Sequence, residues 1–500
     1  MSNLIVINLL DGRCLSAFIG GRPAFSWVLD YAGRLGEAAK DIALVGTGAF
    51  PETGGFKLLR LSASTNRALV DGLAELSPGY DNIIYVFGDA PFLDAALSLR
   101  MLENHAKYYA HYSFADGYPF GITPEIIACR TLPALKGLCK EPCEELGRET
   151  LFTLIQKDIN AFDLETELSP KDMRLLRASF TVDTRRNQLL CERIAGAYPN
   201  EISQNPGDTA IRLLEEKPEI MRTLPAYLAI QITDGCPQAC MSCPYPLAAG
   251  NPVGKKGFMR PEGFDILIEK IASFCGDAVI GVSLWGEPAL YPDFSKIAEA
   301  VAARPGLKLL VETSGIGWKD EVIRAAAKLL GNRLDWIVSL DAVNAEDYAR
   351  LRGPGWDEAL ARAAMLLSEF PDHAYVQALR MADNEETMET FYRTWKEKTS
   401  KLIIQKYDWF CGSLPQRKVT DLSPLDRFPC RHLQRDLSVL LDGTVPLCRE
   451  DLRGEEVLGN LFSDSLESLW EKGAARYREH LCKNYTSLCG NCDEYYTYNF

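Results

Sequence analysis

Short apolar runs alternate with amphipathic stretches along most of this chain, and that alternation is typical of α/β proteins. In residues 1–199 the runs LIVINLL, DIALVG and NIIYVFG have the composition of buried strands, and the stretch from Ala24 to Leu35 has helical spacing. The pattern predicts a twisted α/β sheet domain over residues 1–199. A charged helical segment over residues 200–222 is predicted to link this domain to the next one.

Strand-like runs recur six times in residues 223–428, with amphipathic helical stretches between most of them. Gaps of this length suit right-handed βα crossovers, so the pattern predicts a partial (β/α)6 barrel. Polar or glycine-bearing residues follow each strand, which is where such a barrel carries its chemistry. The predicted strands are Tyr227–Thr233, Val279–Trp285, Leu307–Thr313, Trp336–Leu340, Ala374–Arg380 and Leu402–Tyr407.

The last part of the chain, residues 429–500, has little apolar sequence from which to build a core. A segment this small rarely folds by burial alone, and a bound metal would supply the missing stability. The segment contains the widely spaced cysteines Cys430, Cys448, Cys489 and Cys492. We therefore predict a small cysteine-rich domain over residues 429–500.

The overall charge argues against two classes of partner. The 500 residues carry a formal net charge of −14, whereas binding to nucleic acid or to an anionic membrane surface needs a basic face. The sequence contains no run of about 18 apolar residues, so it predicts no membrane span. Its start, MSNLIVINLLDGR, lacks the cationic region and cleavage site of a secretory signal, and we expect a cytoplasmic protein.

Fifteen cysteines are present, and in a reducing compartment their grouping indicates bound metal rather than disulfides. The run ITDGCPQACMSCPYP follows the first predicted barrel strand and places Cys236, Cys240 and Cys243 in C-x3-C-x2-C spacing. Three thiolates so spaced can hold three irons of a [4Fe–4S] cluster and leave the fourth iron without a protein ligand. A zinc loop completed by a distant ligand, or simply buried thiols, are the alternatives that the spacing leaves open.

This region resembles the radical S-adenosylmethionine (radical SAM) superfamily, because further motifs follow the cysteines in the family's order. WGEP, after the second strand, resembles the glycine–glutamate motif that holds the cofactor's amino group, with Trp285 in place of one family glycine. ETSG, after the third strand, corresponds to the family's TNG-like turn. SLDA, after the fourth, corresponds to the residues that contact the ribose or the methionine carboxylate. The resemblance implies cofactor contacts from Gly286, Glu287, Pro288, Ser314, Ser339 and Asp341.

One position departs from the family pattern. The family often has an aromatic residue before the third cysteine, close to the adenine, and Ser242 occupies that place here. We expect Tyr245 to substitute for it.

The resemblance also implies a reaction. A reduced [4Fe–4S] cluster gives one electron to S-adenosylmethionine, and the resulting 5′-deoxyadenosyl radical takes hydrogen from a substrate. A flavodoxin or ferredoxin is the expected electron donor, and the stretch with Lys255, Lys256 and Arg260 is a candidate surface for it, or else a solvated loop. A peptide or protein is the first choice of substrate and a nucleotide-linked sugar the second. The sequence designates no catalytic residue.

The C-terminal cysteines lie in PCRHL, DGTVPLC and LCGNC, and their spacing suits either a zinc site or a second [4Fe–4S] cluster. The segment resembles the SPASM domain that follows many radical SAM barrels, and the likeness extends through VLGNLFSDSLESLW to Trp470. This resemblance implies an auxiliary [4Fe–4S] cluster on Cys430, Cys448, Cys489 and Cys492. We expect the other cysteines, including Cys411, to be core or surface thiols, and Cys482 to be a spare thiol, with an extra cluster ligand as the alternative.

Two pieces of the N-terminal domain resemble sugar-nucleotide cytidylyltransferases. YVFGDAPFLD and SFTVDTRRNQLL contain Asp89 and Asp183, which correspond to that family's Mg²⁺-binding aspartates. The phosphate loop is degraded, since DGRCLSAF lacks the run of small residues and the lysine. We therefore expect a degenerate nucleotidyltransferase-like domain, and the whole arrangement resembles the family named spiro-SPASM. The competing hypotheses are a cytidylyltransferase with an iron–sulfur appendage and a non-catalytic iron–sulfur scaffold.

Overall fold

The computed structural model describes residues 1–39, 41–51, 55–141, 143–244 and 257–497. The chain divides into two compact units, Met1–Met221 and Arg222–Phe500. Both units are mixed α/β structures built on largely parallel sheets, as the sequence predicts. The finer domain boundaries stay a prediction. Among the described residues, no helix is both long enough and apolar enough to cross a membrane.

The first unit contains a seven-stranded sheet in the order β5-β4-β1-β6-β8-β7-β9. Its central strand β1 has the apolar sequence NLIVIN, is buried along its whole length and pairs in parallel with β4 and β6. Helices cover both faces of such a sheet, which is why the central strands need no polar side. The strands are β1 Asn3–Asn8, β2 Phe18–Ile19, β3 Arg22–Pro23, β4 Asp41–Gly46, β5 Lys57–Arg60, β6 Asn82–Phe87, β7 Tyr112–Asp116, β8 Glu125–Ala128 and β9 Leu164–Leu168.

The segment predicted as a helical linker forms the last two helices of this unit. Its buried side chains, including Ile202, Ala210 and Leu213, join the core between sheet and helices, so it packs as part of the unit. The helices are α1 Ala24–Leu35, α2 Asn66–Leu76, α3 Ala95–Lys107, α4 Leu132–Leu138, α5 Thr150–Gln156, α6 Arg185–Ala197, α7 Pro199–Gln204 and α8 Pro206–Glu216.

The second unit contains a parallel sheet that is an open, partial barrel, with the order β17-β16-β15-β14-β13-β10-β18. All six predicted strands are present. The cysteine-rich region adds a seventh, β18, parallel to β10, which the sequence analysis did not predict. The strands are β10 Tyr227–Ile230, β11 Thr233–Asp234, β12 Gly257–Phe258, β13 Ala278–Gly281, β14 Leu307–Thr313, β15 Leu334–Ser339, β16 Ala374–Arg380, β17 Leu402–Lys406, β18 Asp436–Val439, β19 Thr444–Pro446 and β20 Val457–Asn460.

The helices of the second unit pack their apolar faces against this sheet, and the cysteine-rich region shares that core. Leu437, Leu461 and Trp470 belong to the same buried cluster as the barrel strands. The Arg222 guanidinium lies 3.5 Å from the Trp470 ring centre and donates to the Trp470 carbonyl at 2.6 Å. The helices are α9 Pro261–Cys275, α10 Phe294–Ala302, α11 Asp320–Leu330, α12 Ala345–Leu351, α13 Trp356–Glu369, α14 Glu385–Lys396, α15 Arg431–Arg435, α16 Leu466–Leu481 and α17 Ser487–Gly490.

Candidate functional site

The loop after β10 brings the three clustered cysteines to one cavity of about 510 Å³ inside the second unit. Cys236, Cys240 and Cys243 all line this cavity. The loop is held by backbone hydrogen bonds, since the Ala239 amide donates to the Arg352 carbonyl at 3.2 Å and the Met241 amide donates to that of Leu351 at 3.0 Å. The position at the carboxyl end of a barrel strand is where parallel barrels carry their chemistry.

The electrostatics of these thiols favour a bound metal. Burial raises the pKa of Cys236 to about 12 and that of Cys243 to about 12. Thiolates at such positions are costly to form unless a metal compensates their charge. The three thiols therefore fit a metal cluster better than they fit a reactive free cysteine.

The carboxylate of Glu287 is buried at the edge of the same cavity. Its Oε2 accepts hydrogen bonds from the Ser314 amide at 2.8 Å and hydroxyl at 2.7 Å, and its Oε1 accepts from the Thr313 hydroxyl and the Ala289 amide. Burial raises the pKa of Glu287, and these hydrogen bonds oppose the shift. Among the described residues no basic side chain pairs with it, which leaves the carboxylate suited to an ammonium group of a ligand.

The backbone around Glu287 explains the glycine pattern of this turn. Trp285 has a φ of 51°, in the left-handed region that glycine adopts most easily, so a tryptophan holds this conformation at some cost. A Cβ on Gly286 would lie 2.2 Å from the Thr233 carbonyl oxygen, so this residue must be glycine. The Glu287 amide donates to the Gly235 carbonyl at 2.8 Å, which ties this turn to the cysteine loop.

Polar side chains from three neighbouring strands meet in the barrel. The Gln377 amide donates to Glu312 at 2.7 Å, and the Ser339 hydroxyl donates to the same oxygen at 3.3 Å. All three residues line the cavity. They form a hydrogen-bonding wall across β14, β15 and β16.

Asp341, a predicted cofactor contact, is paired within the protein. It is buried, does not line the cavity, and accepts from Arg352 at 2.5 Å and from the Leu379 amide at 2.7 Å. Its partner Arg352 faces the cavity instead and also donates to Gln238 at 3.1 Å. The cavity therefore presents a guanidinium where the sequence predicted a carboxylate, and sequence reasoning missed Arg352.

The four C-terminal cysteines line the same cavity, and a fifth, Cys411, joins them. The Cys411 thiol hydrogen-bonds with Cys492, which lowers the pKa of Cys492, while burial raises the pKa of Cys430, Cys448 and Cys489. Phe410, Cys411 and Gly412 all have positive φ. The sequence analysis assigned Cys411 to the core or surface thiols, because nothing in its local sequence marks it.

Charged side chains of both signs line the same cavity near the C-terminal cysteines. Arg449 pairs with Asp408 at 2.9 Å and with Glu450 at 3.0 Å, and Lys406 pairs with Glu494. All five line the cavity. This single cavity, called the chamber below, is thus lined by both groups of thiols and by charges of both signs.

Most of the predicted cofactor and iron ligands of the second unit meet in this chamber. Pro288 does not line it and instead begins a short 3-10 helix. Tyr245, Lys255 and Lys256 lie outside the described residues. The predicted residues that line the chamber are Gly286, Glu287, Ser314, Ser339, Cys236, Cys240, Cys243, Cys430, Cys448, Cys489 and Cys492.

The two predicted magnesium ligands of the first unit also lie close together, but an arginine joins them. Arg148 donates to Asp89 Oδ1 at 3.0 Å and to Asp183 Oδ2 at 3.1 Å. The sequence analysis did not single out Arg148, which lies in the loop before α5.

Two family models match the second unit. Residues 230–395 match the radical SAM superfamily, and residues 430–493 match SPASM, an iron–sulfur cluster-binding domain. An uncharacterized protein of Treponema pallidum (strain Nichols) is 38% identical over 363 residues, which are 70% of this chain and 98% of that protein.

Solved structures resemble each part of the chain at lower identity. Native anSMEcpe with bound AdoMet is 18% identical, with a TM-score of 0.42, over 54% of this chain and 90% of its own. A cytidylyltransferase from Leptospira borgpetersenii serovar Hardjo-bovis (strain JB197) is 13% identical, with a TM-score of 0.37, over 44% of this chain and 96% of its own.

Proposed function

We propose that this enzyme, which belongs to the radical SAM superfamily and carries a C-terminal SPASM iron–sulfur domain, cleaves S-adenosylmethionine reductively and modifies a peptide or protein. The observation that carries the proposal is the chamber in which three clustered thiols meet the buried carboxylate of Glu287, which no basic side chain of the described residues pairs with. The thiols suit an iron–sulfur cluster, and the carboxylate suits the ammonium group of the cofactor.

Cys236, Cys240 and Cys243 would hold three irons of a [4Fe–4S] cluster and leave the fourth iron for the cofactor. When bound, the reduced cluster and S-adenosylmethionine together supply a 5′-deoxyadenosyl radical. The protein's part is to bury the thiols, exclude water and aim the cofactor. A flavodoxin or ferredoxin would deliver the electron.

The cofactor's polar groups have matching partners in the chamber. Glu287, fixed by Ser314 and by the turn after Gly286, would accept the ammonium group. Arg352 faces the chamber and suits the methionine carboxylate, with Asp341 orienting its guanidinium from behind. Ser339 lies on the polar wall and suits a ribose hydroxyl.

The substrate would enter the part of the chamber that is lined by charged side chains. Lys406, Asp408, Arg449 and Glu450 offer both signs of charge there, as a peptide with charged and amide groups requires. A nucleotide-linked sugar is the second choice.

Cofactor cleavage is the direct test of this proposal. We expect anaerobically reconstituted protein, given dithionite and S-adenosylmethionine, to release 5′-deoxyadenosine, which chromatography with mass detection measures. Omitting dithionite should prevent release, because cleavage needs an electron. A well-reconstituted protein that forms no 5′-deoxyadenosine and shows no cofactor-induced change in its cluster EPR signal would instead be an iron–sulfur scaffold.

The auxiliary site gives a second prediction. If Cys430, Cys448, Cys489 and Cys492 hold a [4Fe–4S] cluster, reconstituted protein should carry about eight iron and eight sulfide per chain. Cys448→Ala should lower both numbers and destabilise the C-terminal region, because a ligand is lost.

Cys482→Ala is the control for that change, since its thiol is exposed and lies outside both the chamber and the predicted ligand set. It should retain the full iron content. One zinc atom per chain with about four iron would contradict the auxiliary iron–sulfur cluster while leaving the radical site intact.

A further inference from the structure

The two aspartates of the first unit that resemble a magnesium site are already saturated by protein donors. Arg148 forms a bidentate pair with Asp89, donating to both of its carboxylate oxygens, and donates from Nε to Asp183 Oδ2 at 3.1 Å. The remaining oxygen, Asp183 Oδ1, accepts from the Thr181 hydroxyl at 2.7 Å and from the Asn187 amide at 2.9 Å. Every carboxylate oxygen at the site therefore has a donor.

Aromatic rings hold the guanidinium of Arg148 in this position. Its central carbon lies 5.1 Å from the Phe87 ring centre and 5.4 Å from that of Phe120. The side chain of Arg148 is 19% exposed and that of Asp89 is 7% exposed. This is a partly buried, doubly paired cation rather than a surface salt bridge.

The loop that carries Arg148 is also anchored. The Leu146 amide donates to the Ser64 carbonyl at 3.0 Å, and the Gly147 amide donates to the Thr150 hydroxyl at 2.8 Å. Val182 donates its amide to the Asp89 carbonyl at 3.0 Å, which fixes the two aspartate segments to each other. Arg148 therefore lies on a third segment of the chain, and its side chain reaches the two segments that carry Asp89 and Asp183.

A divalent metal does not fit this arrangement. Mg²⁺ needs oxygen ligands in near-octahedral geometry, and here the same oxygens point at a guanidinium. A metal would have to expel a positive charge from between two carboxylates and two rings, because two cations on the same oxygens repel each other. The nearby Arg13 does not replace a phosphate-gripping lysine either, since it pairs with Asp11 and donates to the Asp183 carbonyl.

We propose that Arg148 is a resident cation that takes the place of the divalent metal between Asp89 and Asp183. The first unit then keeps the shape of a nucleotidyltransferase site while binding no Mg²⁺ at it. The three segments that meet there are held together by the arginine instead of by metal and nucleotide.

Metal binding by the full-length protein tests this directly, with Mn²⁺ as the probe and the solution EPR signal of free Mn²⁺ as the readout. The wild type and the Asp89→Asn variant should bind the same amount of Mn²⁺, because no Mn²⁺ occupies the site in either protein. Arg148→Met should create an Asp89-dependent Mn²⁺ site that binds at least about tenfold more tightly than any site of the wild type, because a unit positive charge leaves two carboxylates. The double variant D89N/R148M should lose that gain.

Arg174→Met is the matched control, because Arg174 also pairs with two aspartates of this unit, Asp172 at 2.7 Å and Asp116 at 3.3 Å, but lies 61% exposed. It should not alter Mn²⁺ binding. Thermal melting would identify an Arg148 variant that fails to fold. In that case the comparison of wild type with Asp89→Asn still tests the proposal, because it does not use the Arg148 variant. A wild-type protein that binds one Mn²⁺ through Asp89, or that releases pyrophosphate from CTP and a sugar acid in an Asp89-dependent way, would overturn the proposal.

Discussion

Replacing Cys236, Cys240 and Cys243 together with Ala should remove about half of the iron from reconstituted protein and abolish 5′-deoxyadenosine formation. The reason is that these three thiols line the chamber beside Glu287, where burial makes their thiolates costly without metal. Iron and sulfide analysis, together with the cleavage assay, measures the two effects on one sample.

The exposed Cys482 supplies a control for the loss of a thiol as such, and Cys482→Ala should leave both measurements unchanged. A triple variant that keeps all of its iron would place the cluster elsewhere. A triple variant that loses nearly all of its iron would show instead that the auxiliary site cannot be loaded alone.

The sequence predicted the barrel well because its strands have clear apolar runs. It missed β18, Asp436–Val439, because that strand is four residues long and contains a polar residue at every second position. Its partner, β10, lies about two hundred residues earlier in the chain, so no local pattern indicates the pairing. Register between distant short strands is decided by tertiary packing rather than by local sequence.

The residues of the candidate site also fall into those that the local sequence predicts and those that only the folded chain brings together. Cys236, Cys240, Cys243 and Glu287 lie in short motifs whose spacing carries the chemistry, and the structure brings them to one chamber. Cys411 has no such spacing, and only the fold brings it to the C-terminal cysteines.

Two arginines were missed for a related reason. Arg352 and Arg148 belong to no motif, and the role of each depends on the aspartates with which it pairs in the folded chain. At both places the sequence indicated a carboxylate, and the structure adds the cation that occupies it. A motif thus predicts which groups are present but not which of them are already paired.

The Glu287→Gln variant should bind S-adenosylmethionine about 30- to 150-fold more weakly, a loss of about 2–3 kcal/mol. The change keeps the size of the side chain but removes the charge that would attract the ammonium group. It also places an amide against the donors from Thr313 and Ser314, which further weakens the turn. Titrating the cofactor-induced change in the cluster EPR signal measures the affinity, and the iron content should stay at the wild-type level.

Glu450→Gln is the matched control, because Glu450 is also a buried carboxylate of the chamber but lies beside Cys448 and Arg449 at the auxiliary end. It should leave cofactor affinity near that of the wild type. Equal weakening by both variants would mean that the total charge of the chamber, rather than a contact with Glu287, sets the affinity. Wild-type affinity in Glu287→Gln would contradict the assignment of this residue to the cofactor's ammonium group.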